Sequence, residues 1–565
     1  MTASLAVALQ SGLLPEGLNV SFKLLPAILV TAMLLLFLVI GYVFKVADTE
    51  GMWVAGRSIG NVENGMAIGS NWMSAASYLG MAALIATAGV YGLAFVVGWT
   101  TGYFILLIFL AAQLRRFGKY TAPDFVGDRF NSDSARAIAA VTTFLIGFVY
   151  AIGQARGMGL VGLYIFGDLG VAGLSGYQVM VVLMMAITVG YLSLSGMLGA
   201  TKNQAVQYVI IIAAFLVGVT VVGWVNGYST VVPQLEYGAL ISSLSAEFAE
   251  PFQSFDSYYL WIATCFSLIV GTCGLPHVLV RFYTVESERT ARWSTVWGLF
   301  FICLLYWSAP AMAAFGTDLY ANNVGPVYET ATSSGMTSAA ADVIVVLAAQ
   351  LSNLPPWFVG LIAAGGIAAA IATVAGLFIA GSSAISHDIY ANIINEDATQ
   401  RQQVIVGRLS IVALGAITTL AALDPAAPIA ALVSYAFSLA GAVLFPMFFL
   451  GMWWENTNRQ GALAGMTTGL VLWAVPMVNE VVPAYGFFGG ETVAPALATW
   501  MPAIGSALIV TPVVFLVTIV VSLATTEPPV RTKRMVRQCH SPEPMGQQQS
   551  AEDVVTDGGE TPADD

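Results

Sequence analysis

Long stretches without a charged side chain constrain this chain more than any other feature. One of them runs from Asn64 to Leu114 without a single Asp, Glu, Lys or Arg. A helix that crosses a lipid bilayer needs about 20 apolar residues. Of the 565 residues, 58% are hydrophobic and 9% are charged, whereas soluble domains carry about 25% charged residues. The sequence therefore predicts an all-α polytopic membrane protein with the lipid bilayer as its surroundings.

Thirteen membrane spans are predicted from the positions of the uncharged stretches. They cover residues 24–44, 64–88, 91–114, 138–165, 177–198, 204–225, 258–276, 293–315, 356–385, 405–423, 428–453, 461–478 and 501–524. The apolar segment 340–354 is instead interpreted as an external loop helix, because Asp342 and the pair Pro355-Pro356 limit its length.

The distribution of basic residues predicts the orientation of these spans. Cytoplasmic loops are enriched in Lys and Arg, and the external-looking loops 226–257, 316–355 and 479–500 contain neither. The predicted cytoplasmic set is Arg57, Arg115, Arg116, Lys119, Lys202, Arg281, Arg289, Arg292, Arg401, Arg408, Arg459, Arg531, Lys533, Arg534 and Arg537. All of these residues lie on the cytoplasmic side of a cell membrane if the N-terminus is outside and the C-terminus is inside.

The predicted organisation has three parts. Residues 1–23 form an external segment without the features of a cleaved signal peptide. Residues 24–524 form the transmembrane domain, and residues 525–565 form a disordered acidic cytoplasmic tail. The four cysteines do not suggest a disulfide framework.

Two predicted spans carry residues that weaken a helix. Gly69, Ser70, Asn71, Ser74 and Ser77 crowd into the span 64–88, and "CFSLIVGTCGLPHVLVRF" (265–282) places two glycines and a proline in another. Such residues also allow close helix packing. An unwound segment, however, offers free carbonyls to a cation and a helix N-terminus to an anion. The two segments begin blocks of five spans, 64–225 and 258–453, followed by two helices in 461–524, which predicts an inverted five-plus-five repeat.

Three motifs carry a resemblance to a known family. "AGRSIGNVENGMAIGSNWMSAASYLG", "GLPHVLVRFYTVESERTAR" and "VAGLFIAGSSAISHDIYANI" resemble the sodium:solute symporter family, and most closely its acetate permease branch, the cation/acetate symporters. The resemblance covers about residues 50 to 455. It implies a LeuT-like five-plus-five inverted repeat of the APC superfamily type. It also implies sodium-coupled symport of a short monocarboxylate such as acetate, propionate or pyruvate.

The family's cation site carries over to five positions. The resemblance implies backbone carbonyls from Ser70 and Met73 on the opened helix, faced by Ala369, Ala372 and Thr373 on the ninth span. Many relatives have two adjacent hydroxyls where this chain has Ala372-Thr373. The missing hydroxyl leaves both sodium and proton open as the coupling ion. No organic cofactor and no metal other than sodium are expected.

The predicted substrate site lies beside the cation site. Relatives carry acidic residues where this chain has Asn71 and Trp72, so the cavity has less negative charge and suits an anion. Arg156, with Gln154 nearby, is predicted to anchor a carboxylate, because an intramembrane arginine normally faces a cavity or a partner. Its side chain also has backbone carbonyls and the outer interface within reach. The predicted substrate-binding residues are thus Asn71, Trp72, Ser74, Gln154, Arg156 and Thr272.

Other functions fit the sequence less well. The net charge of −12 makes nucleic acid a poor partner, and no catalytic cluster indicates an enzyme. A symporter of another small solute, such as an amino acid or a pantothenate-like acid, is the alternative. A transporter-like sensor would need a separate kinase, because the tail carries no signalling motif. Some relatives work beside a small accessory membrane subunit, which remains an expectation here.

Overall fold

A computed structural model describes residues 21–228, 232–241, 243–244, 248, 255–328, 336–485 and 492–541. Within these residues, ten helices are long and apolar enough to cross a membrane. The number is eleven if Tyr258–Gly274 and Pro276–Phe282, which meet at a bend of 49°, form one broken span. The chain is thus a helical polytopic protein, although the helices as counted are fewer than the thirteen predicted spans.

The main helices of the first half are numbered in chain order. They are α1 (Leu24–Val43), α2 (Asn61–Trp72), α3 (Met81–Ala88), α4 (Leu93–Phe109), α5 (Ala122–Phe130), α6 (Asp133–Phe166) and α7 (Gly176–Val225). Shorter helices cover Thr49–Val54 and Ala111–Phe117, 3-10 turns cover Ala55–Arg57 and Gly89–Gly92, and a π-helical turn covers Ala76–Gly80.

The second half continues the numbering. Its helices are α8 (Phe255–Gly274), α9 (Pro276–Leu279), α10 (Glu288–Asn323), α11 (Ser338–Asp342), α12 (Ile344–Leu351), α13 (Pro356–Ser383), α14 (Gln400–Ala422), α15 (Ile429–Leu439), α16 (Phe445–Trp453), α17 (Arg459–Pro476), α18 (Ala507–Ala524) and α19 (Val530–His540). Helices Pro233–Ile241, Val482–Ala484 and Pro495–Trp500, the 3-10 turn Val280–Phe282 and π-helical segments Ala384–Ile394, Ala440–Leu444 and Met477–Val481 complete the described elements.

Two of the ten apolar helices contain a break at a glycine. In α7, which is 50 residues long, Gly196 has φ 53° and ψ −150°, a conformation that glycine adopts without strain. A Cβ there would lie 2.8 Å from the Met52 Cα, so the close approach also requires glycine. In the stretch Ala76–Phe109, Gly89 has φ 59° and separates α3 from α4. The break at Gly89 lies between the predicted spans 64–88 and 91–114, whereas the break at Gly196 lies near the end of the predicted span 177–198.

Burial separates the centre of the bundle from its lipid-facing edge. The apolar part of Pro356–Ile394, which contains α13, is 100% buried, whereas those of α1, α17 and α18 are 33–39% buried. The outer helices expose large apolar side chains such as Leu24 and Leu516. An exposed apolar band of this kind is what lipid contact requires. Helix α13 is therefore the central element against which the functional segments pack.

Two segments outside the predicted spans differ from their predictions, one in its burial and the other in its secondary structure. The segment 340–354 contains α11 and α12, whose residues 339–349 are buried in the protein rather than lying on its surface. In the tail 525–565, which is predicted to be disordered, residues Val530–His540 instead form α19. This helix is held by Arg116, which donates to the Cys539 carbonyl at 2.8 Å, and by the His540 contact with the Met452 carbonyl at 2.8 Å. Residues 1–20 and 542–565 of the predicted terminal segments lie outside the described residues.

Candidate cation and substrate site

The first weakened helix opens at the predicted position. Helix α2 ends at Trp72, and Met73 leaves the helical conformation with ψ 65°. The chain resumes as a π-helical turn at Ala76–Gly80 before α3 begins. A helix that ends inside the protein leaves carbonyl and amide groups that need other partners.

Side chains satisfy part of the opened backbone. Gln154 Oε1 accepts a hydrogen bond from the Ala75 amide at 2.7 Å, and Ser77 Oγ donates to the Trp72 carbonyl at 3.2 Å. Among the described residues, no hydrogen bond reaches the carbonyl oxygens of Ser70 and Met73. Buried carbonyls are usually paired, so these two oxygens are free to bind another group.

Helix α13 faces the opened segment with a hydroxyl. Thr373 Oγ1 donates to the Asn71 carbonyl at 2.8 Å and to the Ala369 carbonyl of its own helix at 3.2 Å. The Ala372 carbonyl accepts a hydrogen bond from Gln204 Nε2 at 2.7 Å. The five predicted cation-site residues are all buried: Ser70, Met73, Ala369, Ala372 and Thr373. An oxygen-only environment of carbonyls and a hydroxyl suits a small hard cation.

An aromatic wall lies beside the opened segment. The Trp72 ring packs edge-on against Trp99, Tyr103 and Phe437, with ring centroids 6.4, 4.8 and 5.7 Å away. The indole nitrogen of Trp99 is buried and has no hydrogen-bond partner among the described residues. Such a wall can enclose a small apolar group, while its free N–H group can orient an acceptor.

The predicted substrate residues Asn71 and Ser74 lie on this segment. Asn71 Nδ2 donates to the His277 carbonyl at 3.3 Å, which links the two broken helices. Tyr150 OH lies 3.4 Å from Ser74 Oγ, to which it donates. Gln154 contacts the opened backbone through its carbonyl oxygen, and its amide nitrogen is buried without a partner. The structure thus brings Asn71, Trp72, Ser74 and Gln154 together.

Thr272 lies apart from this group. Its hydroxyl donates to the Leu268 carbonyl of its own helix at 2.7 Å. Its side chain fills the space beside Gly102 of α4, where an added Cβ would lie 2.6 Å from the Thr272 Cβ. The described contacts of Thr272 are therefore those of helix packing.

Arg156 also lies apart and already has a carboxylate partner. Its Nε donates to Asp342 Oδ2 at 2.7 Å, and its Nη2 donates to Ser338 Oγ at 3.1 Å. Burial raises the pKa of the Asp342 carboxyl, although the Arg156 charge opposes this rise. The predicted substrate carboxylate would have to compete with Asp342 for the guanidinium.

The second broken helix contributes residues that the sequence did not single out. Helix α8 ends at Gly274, and the chain bends before α9. Arg281, predicted to lie in a cytoplasmic loop, is instead fully buried and donates to Thr201 Oγ1 at 2.9 Å and to Gln204 Oε1. Gln204 also approaches Asn71 Oδ1 at 3.4 Å. The motif "GLPHVLVRF" contains Arg281, but its burial depends on contacts with a distant helix.

A separate charged cluster joins α5 to the segment after α13. Potential ligand atoms of Asp124, His387 and Asp388 lie within 4.8 Å of one another. Arg136 donates to Asp124 at 2.7 Å, and Thr121 Oγ1 donates to Asp388 at 2.8 Å. Burial alone would raise the pKa of the Asp124 carboxyl, but His387 and Arg136 hold it well below its ordinary value. Since Arg136 supplies positive charge here, the cluster is an ion-pair network that joins two elements.

Interrupted helices of this kind form the binding sites of many secondary transporters. Residues 52–469 match the model of the sodium:solute symporter family. This chain belongs to that family. It is 28% identical to an uncharacterized symporter from Cupriavidus necator, in an alignment that covers 80% of this chain and 84% of the relative.

A solved structure shares the fold. It is the substrate-bound, outward-open state of a Na⁺-coupled sialic acid symporter, with a TM-score of 0.65 at 15% identity. The match covers 90% of this chain and 100% of the other. With its family membership and its apolar spans, this chain is a multi-pass membrane protein of a family of transporters that couple a small solute to sodium.

Proposed function

We propose that this symporter couples sodium entry to the uptake of a short monocarboxylate of the acetate, propionate or pyruvate type. The observation that supports the proposal is the opened helix α2. Its Ser70 and Met73 carbonyls have no hydrogen-bond partner among the described residues, while Thr373 contacts the same segment. In this proposal, sodium binds between these oxygens and the carbonyls of Ala369 and Ala372.

The substrate proposal rests on size and charge. The aromatic wall of Trp72, Trp99, Tyr103 and Phe437 suits a small apolar group. The opened segment 69–77 carries no acidic side chain, so it does not repel a carboxylate. The resemblance of the sequence motifs to acetate permeases favours the same substrate class. Neutral solutes such as small amino acids are the alternative.

Coupling follows from differential stabilisation of two conformations. A cation that links α2 to α13 stabilises the arrangement in which the two helices are in contact. A solute bound beside it at Asn71 and Trp72 then shifts the protein towards the inward-facing state. Each ligand moves the equilibrium only by its difference in affinity for the two states, so transport requires both.

The topology proposal uses the two glycine breaks. Dividing Gly176–Val225 at Gly196 and Ala76–Phe109 at Gly89 raises the eleven candidate spans to thirteen. A helix of 50 residues has about 75 Å of length, well beyond the thickness of a bilayer. With thirteen spans, the N-terminus lies outside and the C-terminus inside, and the inverted repeats cover 64–225 and 258–453.

Uptake into proteoliposomes tests this function. Labelled acetate is offered to the purified protein under an inward sodium gradient or an equal potassium gradient. Accumulation that requires sodium supports the proposal. Accumulation driven only by a pH gradient would show that protons, and not sodium ions, are coupled to transport. No uptake of acetate, propionate or pyruvate under either gradient would refute the substrate class, and adding a candidate accessory subunit would test whether a partner is required.

A further inference from the structure

The guanidinium of Arg281 is buried without a counter-ion. Its exposed fraction is 0%, and its Nε has no hydrogen-bond partner. Its Nη1 and Nη2 atoms donate to neutral oxygens, Thr201 Oγ1 and Gln204 Oε1. Among the residues that the structure describes, no carboxylate lies within ion-pair distance of it.

Three other buried arginines, Arg129, Arg136 and Arg156, are compensated. Arg156 pairs with Asp342, and Arg136 pairs with Asp124. Arg129 donates to four backbone carbonyls at and after the end of α16, where the helix dipole is negative. An uncompensated charge in a membrane interior is expensive and usually marks an ion or substrate pathway. We therefore expect Arg281 to bind a negatively charged ligand.

The position of Arg281 connects it to both opened helices. It lies one turn after His277, whose two ring nitrogens are buried and have no hydrogen-bond partner in the described part of the chain. Its partner Gln204 approaches Asn71 Oδ1 on the first opened helix. The Tyr103 ring, which contacts Trp72, lies within electrostatic reach of the guanidinium.

We propose that Arg281, and not Arg156, binds the carboxylate of the transported anion, and that Gln204 transmits this contact to the cation site. This inference rests on the function proposed above and identifies the residue that sets its charge selectivity. A guanidinium holds a carboxylate through two parallel hydrogen bonds. Among the described residues Arg281 Nε has no partner, and a carboxylate can replace Gln204 Oε1 as the acceptor of the Nη2 bond. Arg156 is already neutralised by Asp342.

Gln204 provides the physical link between the two ligands. Its amide nitrogen donates to the Ala372 carbonyl, a proposed cation ligand, while its oxygen accepts from Arg281. A carboxylate that takes over the Arg281 N–H groups releases the Gln204 amide. The Ala372 carbonyl then becomes available to the cation. Anion binding therefore raises cation affinity, and the reverse holds by the same factor.

Two opposite substitutions test the proposal. Arg281→Gln removes the charge, and Gln204→Glu neutralises it by placing a carboxylate beside the guanidinium. Both raise the KM for acetate by about 10- to 100-fold, the range of a charged hydrogen bond. Gln204→Glu compensates the buried charge but loses the amide that donates to the Ala372 carbonyl, so the KM and not the unfolding temperature is the deciding readout. A merely structural role of Arg281 would leave the KM for acetate unchanged in variants that fold.

The remaining measurements distinguish the ways in which the proposal can fail. Arg281→Lys keeps the charge but loses the paired geometry, and is expected to give an intermediate KM even if Arg281→Gln does not fold. The exposed Arg292→Gln is the control and keeps the wild-type KM. In the wild type, acetate and not acetamide raises the unfolding temperature, and does so more strongly in sodium than in potassium.

Wild-type transport with an unchanged KM in Gln204→Glu and Arg281→Lys overturns the assignment of Arg281 alone. A loss of acetate affinity in Arg156→Gln together with wild-type affinity in the Arg281 variants would return the role to Arg156. Absence of monocarboxylate uptake by the wild type would instead refute the proposed substrate class, and with it this inference.

Discussion

Thr373→Val separates the structural contact of the Thr373 hydroxyl from its proposed role as a cation ligand. Valine has nearly the shape of threonine, so the packing of α13 is kept while the oxygen is lost. In the folded protein this hydroxyl donates to the Asn71 carbonyl at 2.8 Å, and Thr373 is fully buried. Removing the donor leaves a buried carbonyl unpaired, which costs about 1–3 kcal/mol. The variant is therefore less stable than wild type even without sodium.

Sodium adds a second, separable effect. A ligand present at 100 times its Kd stabilises a folded protein by about 2.7 kcal/mol, and each tenfold loss of affinity removes about 1.4 kcal/mol of this. If Thr373 Oγ1 is a cation ligand, Thr373→Val lowers sodium affinity by tenfold or more. The stability difference from wild type is then larger in sodium than in potassium by about 1.4 kcal/mol.

Thermal unfolding of the purified protein measures both effects. Wild type, Thr373→Val and Thr373→Ser are unfolded across matched series of NaCl and KCl concentrations. Thr373→Ser keeps the hydroxyl and should retain most of the sodium response. An equal sodium-dependent shift in wild type and Thr373→Val would refute the role of Thr373 as a cation ligand. Equal stability of the two in potassium would refute the importance of the Asn71 contact.

Three further predictions concern the elements around the site. Gln154→Leu removes the acceptor of the Ala75 amide and is expected to lower stability by about 1–3 kcal/mol; Gln154→Glu, which keeps an acceptor, is the control in the same unfolding assay. Gly376→Ala places a Cβ 2.1 Å from Asn71 Oδ1, so it should destabilise the protein by about 1–3 kcal/mol. It should also weaken sodium-dependent uptake, and normal uptake would contradict the close packing of Gly376 against Asn71. The pKa of Asp124 is held below its ordinary value, so its carboxylate stabilises the fold at neutral pH and loses this effect as the pH falls below about 4. Asp124→Asn should therefore be less stable at pH 7, and its unfolding temperature should fall less steeply at acid pH. An unchanged pH profile of the unfolding temperature would contradict the assignment.

The sequence alone predicted the membrane class and the position of the opened helix. Long uncharged stretches have only one stable environment, and the composition of a helix is a local property that can be read directly. The break after Trp72 follows from small and polar residues that lie next to one another in the chain. Ser70 and Met73 at the break, and Thr373 opposite it, also came from local motifs and their resemblance to a family.

Only the tertiary structure decided which charges are compensated. Arg156 and Asp342 are 186 residues apart in sequence, and nothing local to Arg156 indicates that its partner comes from a buried loop helix. Arg281 follows an apolar segment and has the pattern of an ordinary cytoplasmic arginine, yet packing against Thr201 and Gln204 removes it from water. The electrostatic state of a side chain depends on the groups that surround it in space. The sequence therefore determined where the helices open, whereas the fold determined that Arg281, unlike Arg156, has no carboxylate partner among the described residues.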